Sequence, residues 1–332
     1  MELVFLEAES LGPDIDLSPF HELGHVTTYP RSDKEQVPER VKDADVVIVN
    51  KIPMNAETLG EARNLKMIAV TATGTNNIHW DFVKERGITV ANVAGYSTSA
   101  VAQHTFALLF YILHKLNYYD RFVKEGGYCR CPGFTHFGER IYELEGKTWG
   151  IVGMGAIGRK VADIASVFGC NVQYASTTGR NLGQPYPRVE LDALLRTSDI
   201  VSLHAPLTPA TEGMMNEEAF AKMKSSAILV NVARGALVDQ EALANALERG
   251  LIAGAALDVL TDEPMREDNP LLRIQDSRKL IVTPHIAWAP LETRERLMRE
   301  VYENIEAFFR GEPRNVVSVT VQSVHSTIRK SI

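Results

Sequence analysis

Three side chains suited to acid–base and ion-pairing chemistry stand just beyond apolar segments of strand type. Arg234, Glu263 and His285 each come at the end of such a segment or a few residues past it, and they are 29 and 22 residues apart. This spacing is about one strand–helix unit, so a parallel sheet would bring all three to its carboxyl edge, where α/β proteins bind ligands. Taken singly, each residue has an ordinary structural explanation: Arg234 as a solvated loop charge, Glu263 as a surface acid and His285 as a core histidine. Together they indicate a functional site.

A glycine-rich turn lies upstream of these residues. An apolar run at 149–152 leads into Gly153-Met-Gly155-Ala-Ile-Gly158, and apolar residues at helical spacing follow. Gly153 suits a tight turn, Gly155 lets the backbone approach a diphosphate, and Gly158 lets the helix pack on the strand. The free N–H groups of the helix N-terminus would bind the phosphates. Because a second strand follows at 170–174, the turn predicts a dinucleotide site rather than an ordinary glycine-rich loop.

Length and composition narrow the class of protein. The chain has 332 residues, which suggests two domains, and a net charge of −7 with mixed signs, which argues against a nucleic-acid partner. Its apolar runs are too short for a membrane span, and its start lacks the basic segment of a signal peptide. Three cysteines give no disulfide framework, which favours the cytoplasm. Cys129, Cys131 and His136 match no standard zinc spacing, so no metal is expected.

The elements that would position these residues alternate between strands and helices. Strands are predicted from Leu3, at 46–49, at 67–70 and from Ile88, and a second series runs from the glycine turn to residue 283. We therefore predict an α/β fold with two Rossmann-like or flavodoxin-like domains that contain parallel sheets. The second domain, 100–287, is inserted into a discontinuous first domain made of 1–99 and 288–332.

Three further segments are interpreted in this scheme. A long helix, roughly 99–117 and capped by Ser97 or Ser99, would lead into the second domain, and a helix at 291–309 would return to the first. Residues 118–146 are aromatic-rich and are predicted to be irregular, either as a subunit interface or as a loop packed on its own domain. The tail after Val317 is either an added strand or disordered.

A short polar loop at 71–77 follows the third predicted strand of the first domain. It lies at a carboxyl edge, and its backbone N–H groups are able to hold a carboxylate. A plain turn before the next helix explains the loop equally well.

Several motifs carry a resemblance to a known family. The chain resembles the D-isomer-specific 2-hydroxyacid dehydrogenases over most of residues 45–316, and within them it is most similar to the glycerate dehydrogenases, or hydroxypyruvate reductases. The matching segments are 152–158, 204–208, 231–239, 256–264 and 283–288, together with the loop at 70–74.

The resemblance implies an activity and a set of site residues. It implies an oxidoreductase that transfers a hydride between NAD(P)H and a small 2-keto acid, with hydroxypyruvate going to D-glycerate and glyoxylate to glycolate. Arg234, Glu263 and His285 would be catalytic, with Arg234 and His285 also touching the substrate. The other implied substrate-binding residues are Thr73, Gly74 and Trp288. The implied cofactor-binding residues are Val101, Gly153, Gly155, Ala156, Ile157, Gly158, Ser176, Thr177, Arg180, His204, Ala205, Pro206, Thr211, Val232, Ala233, Arg234, Asp258, His285 and Ala287.

The segment after the second strand of the dinucleotide unit departs from the usual NAD pattern. NAD enzymes place an acid there for the ribose hydroxyls, whereas this chain has hydroxyls at Ser176 and Thr177, followed by Arg180. We therefore expect NADP(H) rather than NAD(H), although a polar loop that accepts either cofactor fits the same residues. The resemblance also implies a homodimer with segment 118–146 in the contact.

Other functions stay open at this point. A D-3-phosphoglycerate dehydrogenase, a D-lactate-type dehydrogenase and a non-enzymatic, dinucleotide-sensing corepressor share the same motifs.

Overall fold

The chain folds into two compact units in a computed structural model that describes residues 1–312 and 314–317. The first unit contains Met1–Tyr96 and the segment from Leu291 onward, and the second contains Ser97–Pro290. The predicted strand or disorder after Val317 falls outside the described residues.

Strands and α-helices alternate along most of the chain. The strands are Glu2–Phe5 (β1), His25–Thr28 (β2), Val46–Val49 (β3), Met67–Val70 (β4), Thr89–Ala91 (β5), Thr148–Val152 (β6), Asn171–Ala175 (β7), Ile200–Leu203 (β8), Ile228–Asn231 (β9), Gly254–Leu257 (β10) and Leu280–Val282 (β11). The helices are Val37–Arg40 (α1), Ala56–Leu59 (α2), Trp80–Glu85 (α3), Thr98–Leu113 (α4), Leu116–Lys124 (α5), Ala156–Val167 (α6), Leu191–Thr197 (α7), Glu217–Lys222 (α8), Gln240–Arg249 (α9) and Leu291–Phe309 (α10).

The first unit is built on a parallel sheet with the strand order β2-β1-β3-β4-β5. Every residue of β3 and β4 is buried, as expected for inner strands covered on both faces. Helix α10 packs against β4, and Asn304 on this helix donates to the Asn92 carbonyl at 3.1 Å. The returning helix therefore belongs to the first unit.

The second unit is built on a six-stranded parallel sheet with the order β11-β10-β9-β8-β6-β7. Neighbouring residues of β8 face opposite ways: Val201 and Leu203 join one apolar cluster, whereas Ile200 joins the other. Both faces are thus covered, and the carboxyl ends of six strands meet at one edge. The prediction of an α/β fold with two parallel sheets is confirmed.

The segment after α4 differs from the sequence prediction. Helix α4 ends at Leu113, because Lys115 adopts a left-handed conformation with φ of 52°. Helix α5 and a 3₁₀ turn at Tyr128–Arg130 follow, so the prediction of irregular structure over 118–146 was wrong for these stretches. No residue of the amphipathic α5 is fully buried. Its sequence therefore lacks the apolar pattern of a core helix, and the helix was not predicted.

Candidate active site

Parallel pairing brings the predicted trio to one edge of the second sheet. Strands β9, β10 and β11 are neighbours, with Leu257 of β10 paired to Asn231 on one side and Val282 on the other. Arg234 follows β9, Glu263 follows β10, and His285 follows β11. All three therefore lie beyond the carboxyl ends of adjacent strands.

His285 and Glu263 form a hydrogen-bonded pair at this edge. The Nδ1 atom of His285 lies 2.7 Å from Oε2 of Glu263, and both side chains are partly buried. The other carboxylate oxygen, Oε1, accepts a hydrogen bond from the N–H of Leu260 at 3.0 Å. Because a carboxylate accepts the Nδ1 proton, the ring is oriented with Nε2 as the atom that can deliver or receive a proton.

Asp258 holds the backbone of His285 in an uncommon conformation. His285 has φ of 56°, in the left-handed region that non-glycine residues rarely adopt. The His285 N–H donates to the Asp258 carbonyl at 2.8 Å, and the Asp258 carboxylate accepts the N–H groups of Ile286 at 2.9 Å and Ala287 at 2.8 Å. The carboxylate is also reached by the Thr283 hydroxyl at 2.5 Å. This set of bonds fixes the turn that carries the imidazole.

Sequence reasoning missed His104, which completes this network from helix α4. Its Nε2 lies 3.0 Å from the Thr283 hydroxyl and 3.4 Å from the Asp258 carboxylate. Burial raises the pKa of Asp258, but the hydrogen bonds from His104, Thr283 and the backbone outweigh it, so that pKa lies below its ordinary value. The signal available in the sequence was a histidine in a helix whose other residues are uncharged.

Arg234 is placed by a tight turn after β9. The fully buried Asn231 accepts the Ala233 N–H at 3.0 Å and donates to the Arg234 carbonyl at 2.9 Å. A Cβ on Gly235 would lie 1.9 Å from the backbone carbon of Leu260, so this turn packs directly on the turn that leads to Glu263. The exposed guanidinium donates to the Ala233 carbonyl at 2.7 Å.

The glycine turn after β6 fits a diphosphate. Gly153 has φ of 95°, and a Cβ there would lie 2.7 Å from the Ala205 nitrogen. A Cβ on Gly158 would lie 2.2 Å from the Gly153 carbonyl oxygen, so helix α6 packs tightly on the turn. Gly155, by contrast, faces open space and is followed at Ala156 by the first turn of α6. The free N–H groups of that turn are available to an anion.

A cavity of about 200 Å³ lies beyond the end of β7. Ser176, Thr177 and Thr211 line it, as the resemblance implied for cofactor-binding residues. Arg188 and Glu190 also line it, whereas Arg180 does not. Ser176 instead donates to the Arg180 carbonyl at 2.9 Å, which keeps Arg180 part of an exposed loop.

One buried polar atom near the glycine turn lacks a partner. Among the described side chains, Nδ1 of His204 is the sole buried nitrogen or oxygen without a hydrogen bond. His204 follows β8, and its N–H donates to the Val152 carbonyl at 2.8 Å, at the start of the glycine turn. An unpaired donor or acceptor, a glycine turn with open space and an adjacent cavity together fit a bound dinucleotide.

The remaining candidate residues of the second unit are distributed around these features. Val101, Ala205, Val232 and Ala287 are buried, Ile157, Ala233 and Trp288 are half-buried, and Pro206 is exposed. Thr211 donates to the Pro206 carbonyl at 2.7 Å and so shapes the loop after His204.

The loop predicted to bind a carboxylate lies in the first unit, after β4. The Thr73 hydroxyl donates to the Val93 carbonyl at 2.9 Å, and the Asn92 side chain donates to the Thr73 carbonyl at 2.6 Å. The N–H groups of Thr73 and Gly74 have no acceptor among the residues that the structure describes. This loop thus offers two backbone donors to an anion.

The described residues contain neither a metal-binding cluster nor a helix able to span a membrane. Over 1–312 and 314–317, no group of three or more His, Cys, Asp or Glu side chains is arranged to hold a metal ion. None of the helices in the same ranges has both the length and the apolar character needed to cross a bilayer.

The chain is similar to a known family, to named proteins and to solved structures. The family described as "D-isomer specific 2-hydroxyacid dehydrogenase, NAD binding domain" matches residues 106–287. A hydroxypyruvate reductase of Blautia hydrogenotrophica is 40% identical, over 96% of this chain and 100% of the relative. The structure of an acyclic imino acid reductase in complex with NADPH and D-Arg has a TM-score of 0.84 at 30% identity and covers 96% and 100% of the two chains. That of D-lactate dehydrogenase from Aquifex aeolicus with NAD and lactic acid has a TM-score of 0.81 at 30% identity and covers 94% and 96%.

Proposed function

Because this chain belongs to the D-isomer-specific 2-hydroxyacid dehydrogenase family, we propose that it reduces hydroxypyruvate to D-glycerate, and glyoxylate to glycolate, with NAD(P)H. The observation that carries the proposal is the His285–Glu263 pair at the sheet edge that also bears the dinucleotide turn. The name of the Blautia relative supports hydroxypyruvate as the substrate.

Each candidate residue has a role that follows from its chemistry. A bound nicotinamide supplies the hydride for the carbonyl carbon of the keto acid. Negative charge then develops on the carbonyl oxygen, and His285 donates a proton to it from Nε2 while Glu263 orients the ring. Arg234 offers a planar fork to the substrate carboxylate.

Four other residues complete the proposal. Thr73 and Gly74 of the first unit are proposed to bind a substrate carboxylate through their N–H groups, and Trp288 to contact the substrate side chain. Asp258 is proposed as a cofactor contact in addition to its bonds within the turn of His285.

A panel of keto acids tests the proposal. Hydroxypyruvate, glyoxylate, pyruvate and phosphohydroxypyruvate are each assayed with NADH and NADPH, and His285→Ala serves as the inactive control. We expect the highest kcat/KM with hydroxypyruvate. Preference for phosphohydroxypyruvate or pyruvate would instead support a D-3-phosphoglycerate or D-lactate-type dehydrogenase, and dinucleotide binding without any turnover would support a sensing, corepressor-like protein.

We further propose NADP(H) as the preferred cofactor, with the 2′-phosphate bound in the cavity after β7. The hydroxyl-bearing Ser176 and Thr177 line this cavity, and Arg188 adds a cation. The arginine at 180, from which the preference was first inferred, lies outside the lining, so Arg188 is the better-placed guanidinium. Glu190 is 3.8 Å from Arg188, too far for a strong ion pair at an exposed position.

Matched arginine variants test the cofactor proposal. Arg188→Ala should lower kcat/KM for NADPH about tenfold, as expected for one charged hydrogen bond, with little change for NADH. Arg180→Ala is the comparison, and we expect a smaller effect from it. A wild-type enzyme that prefers NADH would refute the NADP(H) proposal.

The proposal includes a homodimer in the cytoplasm. Segment 118–146 carries strongly exposed apolar side chains, with Phe134 92% and Phe137 91% exposed, which a second copy of the chain would cover. The three cysteines are free thiols, as expected in a reducing compartment.

A further inference from the structure

A single side-chain amide closes both ends of the loop that carries Glu263. The loop runs from Thr261 to Asn269, after β10, and the amide belongs to Gln240, the first residue of α9. Nε2 of Gln240 donates to the Thr261 hydroxyl at 3.0 Å, and Oε1 of Gln240 accepts from Nδ2 of Asn269 at 2.6 Å. Because both polar atoms of one side chain are used, a change at residue 240 removes the bonds at both ends of the loop.

The far end of this loop is anchored in the interior of the second unit. Asn269 is only 8% exposed, and its Oδ1 accepts the N–H of Leu271 at 3.0 Å, at the start of a 3₁₀ turn at Pro270–Arg273. Leu271 is buried in the apolar cluster that also contains residues of α9. Asn269 is therefore a fixed point, and Gln240 connects the exposed Thr261 to it.

The near end of the loop lies against the turn after β9. A Cβ on Gly235 would collide with the Leu260 carbonyl, so the turns after β9 and β10 touch there. Gln240 adds a second link between the same two segments. Beside these links, the Leu260 N–H donates to Oε1 of Glu263 at 3.0 Å, and Oε2 lies 2.7 Å from Nδ1 of His285. The direction of the Glu263 carboxylate thus depends on how this loop is held.

We propose that Gln240 is a positioning residue for the proton transfer, because it holds the loop so that the Glu263 carboxylate meets Nδ1 of His285. Asn269 is the anchor of this arrangement, and Thr261 is the point at which the loop is held. Supporting hydrogen bonds of this kind keep a reactive group in its productive geometry. The inference rests on the proposed role of His285 as proton donor and adds the residues that keep its carboxylate partner in place.

Substitutions at the two ends of the Gln240–Thr261 bond test the proposal with the best keto acid of the panel. Gln240→Met keeps the length of the side chain and removes both hydrogen bonds, so kcat should fall about tenfold. Thr261→Val removes one bond at an exposed position and should lower kcat about threefold. Thr261→Ser keeps the hydroxyl and should retain the wild-type kcat. The dissociation constant for the reduced dinucleotide should stay unchanged in all three variants.

Gln275→Met is the matched control, because this exposed glutamine lies beyond the loop and donates to the Leu272 carbonyl at 2.6 Å. Its kcat should equal that of wild type.

Nitrogen-15 NMR of the histidine rings measures the pairing directly, without substrate. At a pH where the His285 ring is neutral, the Glu263 carboxylate keeps the proton on Nδ1, whereas a released ring becomes a mixture of both tautomers. Wild type, Thr261→Ser and Gln275→Met should show the Nδ1–H form, and Gln240→Met should show the mixture. His285→Ala assigns the signals. A substitution that only destabilised the fold would leave the tautomer of the folded protein unchanged.

Three results would overturn the inference: wild-type kcat in Gln240→Met, a His285 ring that keeps the Nδ1–H form in this variant, or a Thr261→Ser variant as impaired as Thr261→Val. Failure of the proposed function gives a different result. Turnover that survives His285→Ala would contradict the proton-donor role, and the tautomer measurement would still decide whether Gln240 positions the pair.

Discussion

At the scale of single residues, the imidazole of His285 uses only one of its nitrogens for contacts within residues 1–312 and 314–317. Its Nδ1 meets Glu263 at 2.7 Å, which assigns the transferable proton to Nε2. Replacing His285 by Ala removes this proton donor without touching the glycine turn. We expect kcat to fall by about 10²- to 10⁴-fold while the dissociation constant for the dinucleotide stays near that of wild type. Steady-state kinetics measures kcat, and a fluorescence titration measures the dissociation constant for the dinucleotide. Undiminished turnover would exclude His285 as the acid.

Arg234 is expected to act through the geometry of its guanidinium as well as through its charge. Its fork offers two parallel N–H groups to a carboxylate, and a lysine offers a single point charge instead. Arg234→Lys should therefore lower kcat/KM for the keto acid by about tenfold or more, the effect of one charged hydrogen bond, and leave dinucleotide affinity little changed. An unchanged kcat/KM for hydroxypyruvate would count against carboxylate binding by this residue.

His204 makes folding stability sensitive to acid. Its pKa is about 3 in the folded protein and near 6.5 in the unfolded chain, so between these values the unfolded chain binds the extra proton. Stability is therefore complete above pH 6.5 and falls as the pH drops toward 3. Between pH 7 and pH 5 this group alone accounts for about 2 kcal/mol of lost unfolding free energy.

Urea denaturation at the two pH values measures this contribution. His204→Asn should lose about 2 kcal/mol less than wild type on acidification, because the titrating group is gone. Replacing the exposed His21 by Asn is the control and should behave like wild type. Equal losses in wild type and His204→Asn would show that the ring is protonated in both states.

At the scale of secondary structure elements, the burial of a strand decides whether it can be predicted from the sequence. Strands β3 and β4 are buried along their whole length, and their continuous apolar runs predicted their bounds without error. Strand β2 was missed, because it lies at the sheet edge and its residues are exposed or half-buried. An edge strand needs neither apolar alternation nor an apolar run, so its formation depends on pairing with β1.

The candidate site likewise has features that the sequence predicted and features that it did not. The spacing of Arg234, Glu263 and His285 predicted their common edge, because strand ends in a parallel sheet are fixed by topology. The left-handed backbone of His285 and its bonds to Asp258 were not predictable, since they depend on the turn geometry. His104 is 179 residues from Thr283 in sequence, and only the packing of α4 on the sheet brings them together.

Gly235 tests how closely the turns after β9 and β10 must pack. A Cβ at this position would lie 2.0 Å from the Leu260 carbonyl oxygen, so Gly235→Ala forces the two turns apart. We expect a loss of about 1–3 kcal/mol in unfolding free energy, together with lower kcat/KM, because Arg234 and Glu263 stand on these turns. Gly183→Ala, which meets nothing within 4 Å, is the matched control in urea denaturation and kinetics. Equal stability of the two variants would show that the contact is dispensable.

At the scale of the whole molecule, the segment after α4 combines internal order with an apolar exterior. His136 stacks on Phe122 of α5 at 3.8 Å and lies 2.9 Å from the Tyr118 hydroxyl, so the segment is held on α5. Phe134 and Phe137 nevertheless remain about nine-tenths exposed. An ordered surface with two exposed phenylalanines is typical of a permanent contact between copies rather than of a loop packed on its own domain.

Replacing both exposed phenylalanines by serine tests the homodimer. Wild type should behave in light scattering as two chains at micromolar concentration, and Phe134→Ser/Phe137→Ser should shift toward one chain, because the apolar anchors of the contact are lost. Val167→Ser removes an equally exposed apolar side chain (87%) from α6 and should leave the mass unchanged. Circular dichroism separates dissociation from unfolding. A monomeric wild type would contradict the homodimer. A double variant that keeps the full dimer mass would show that the contact between copies lies elsewhere on the surface.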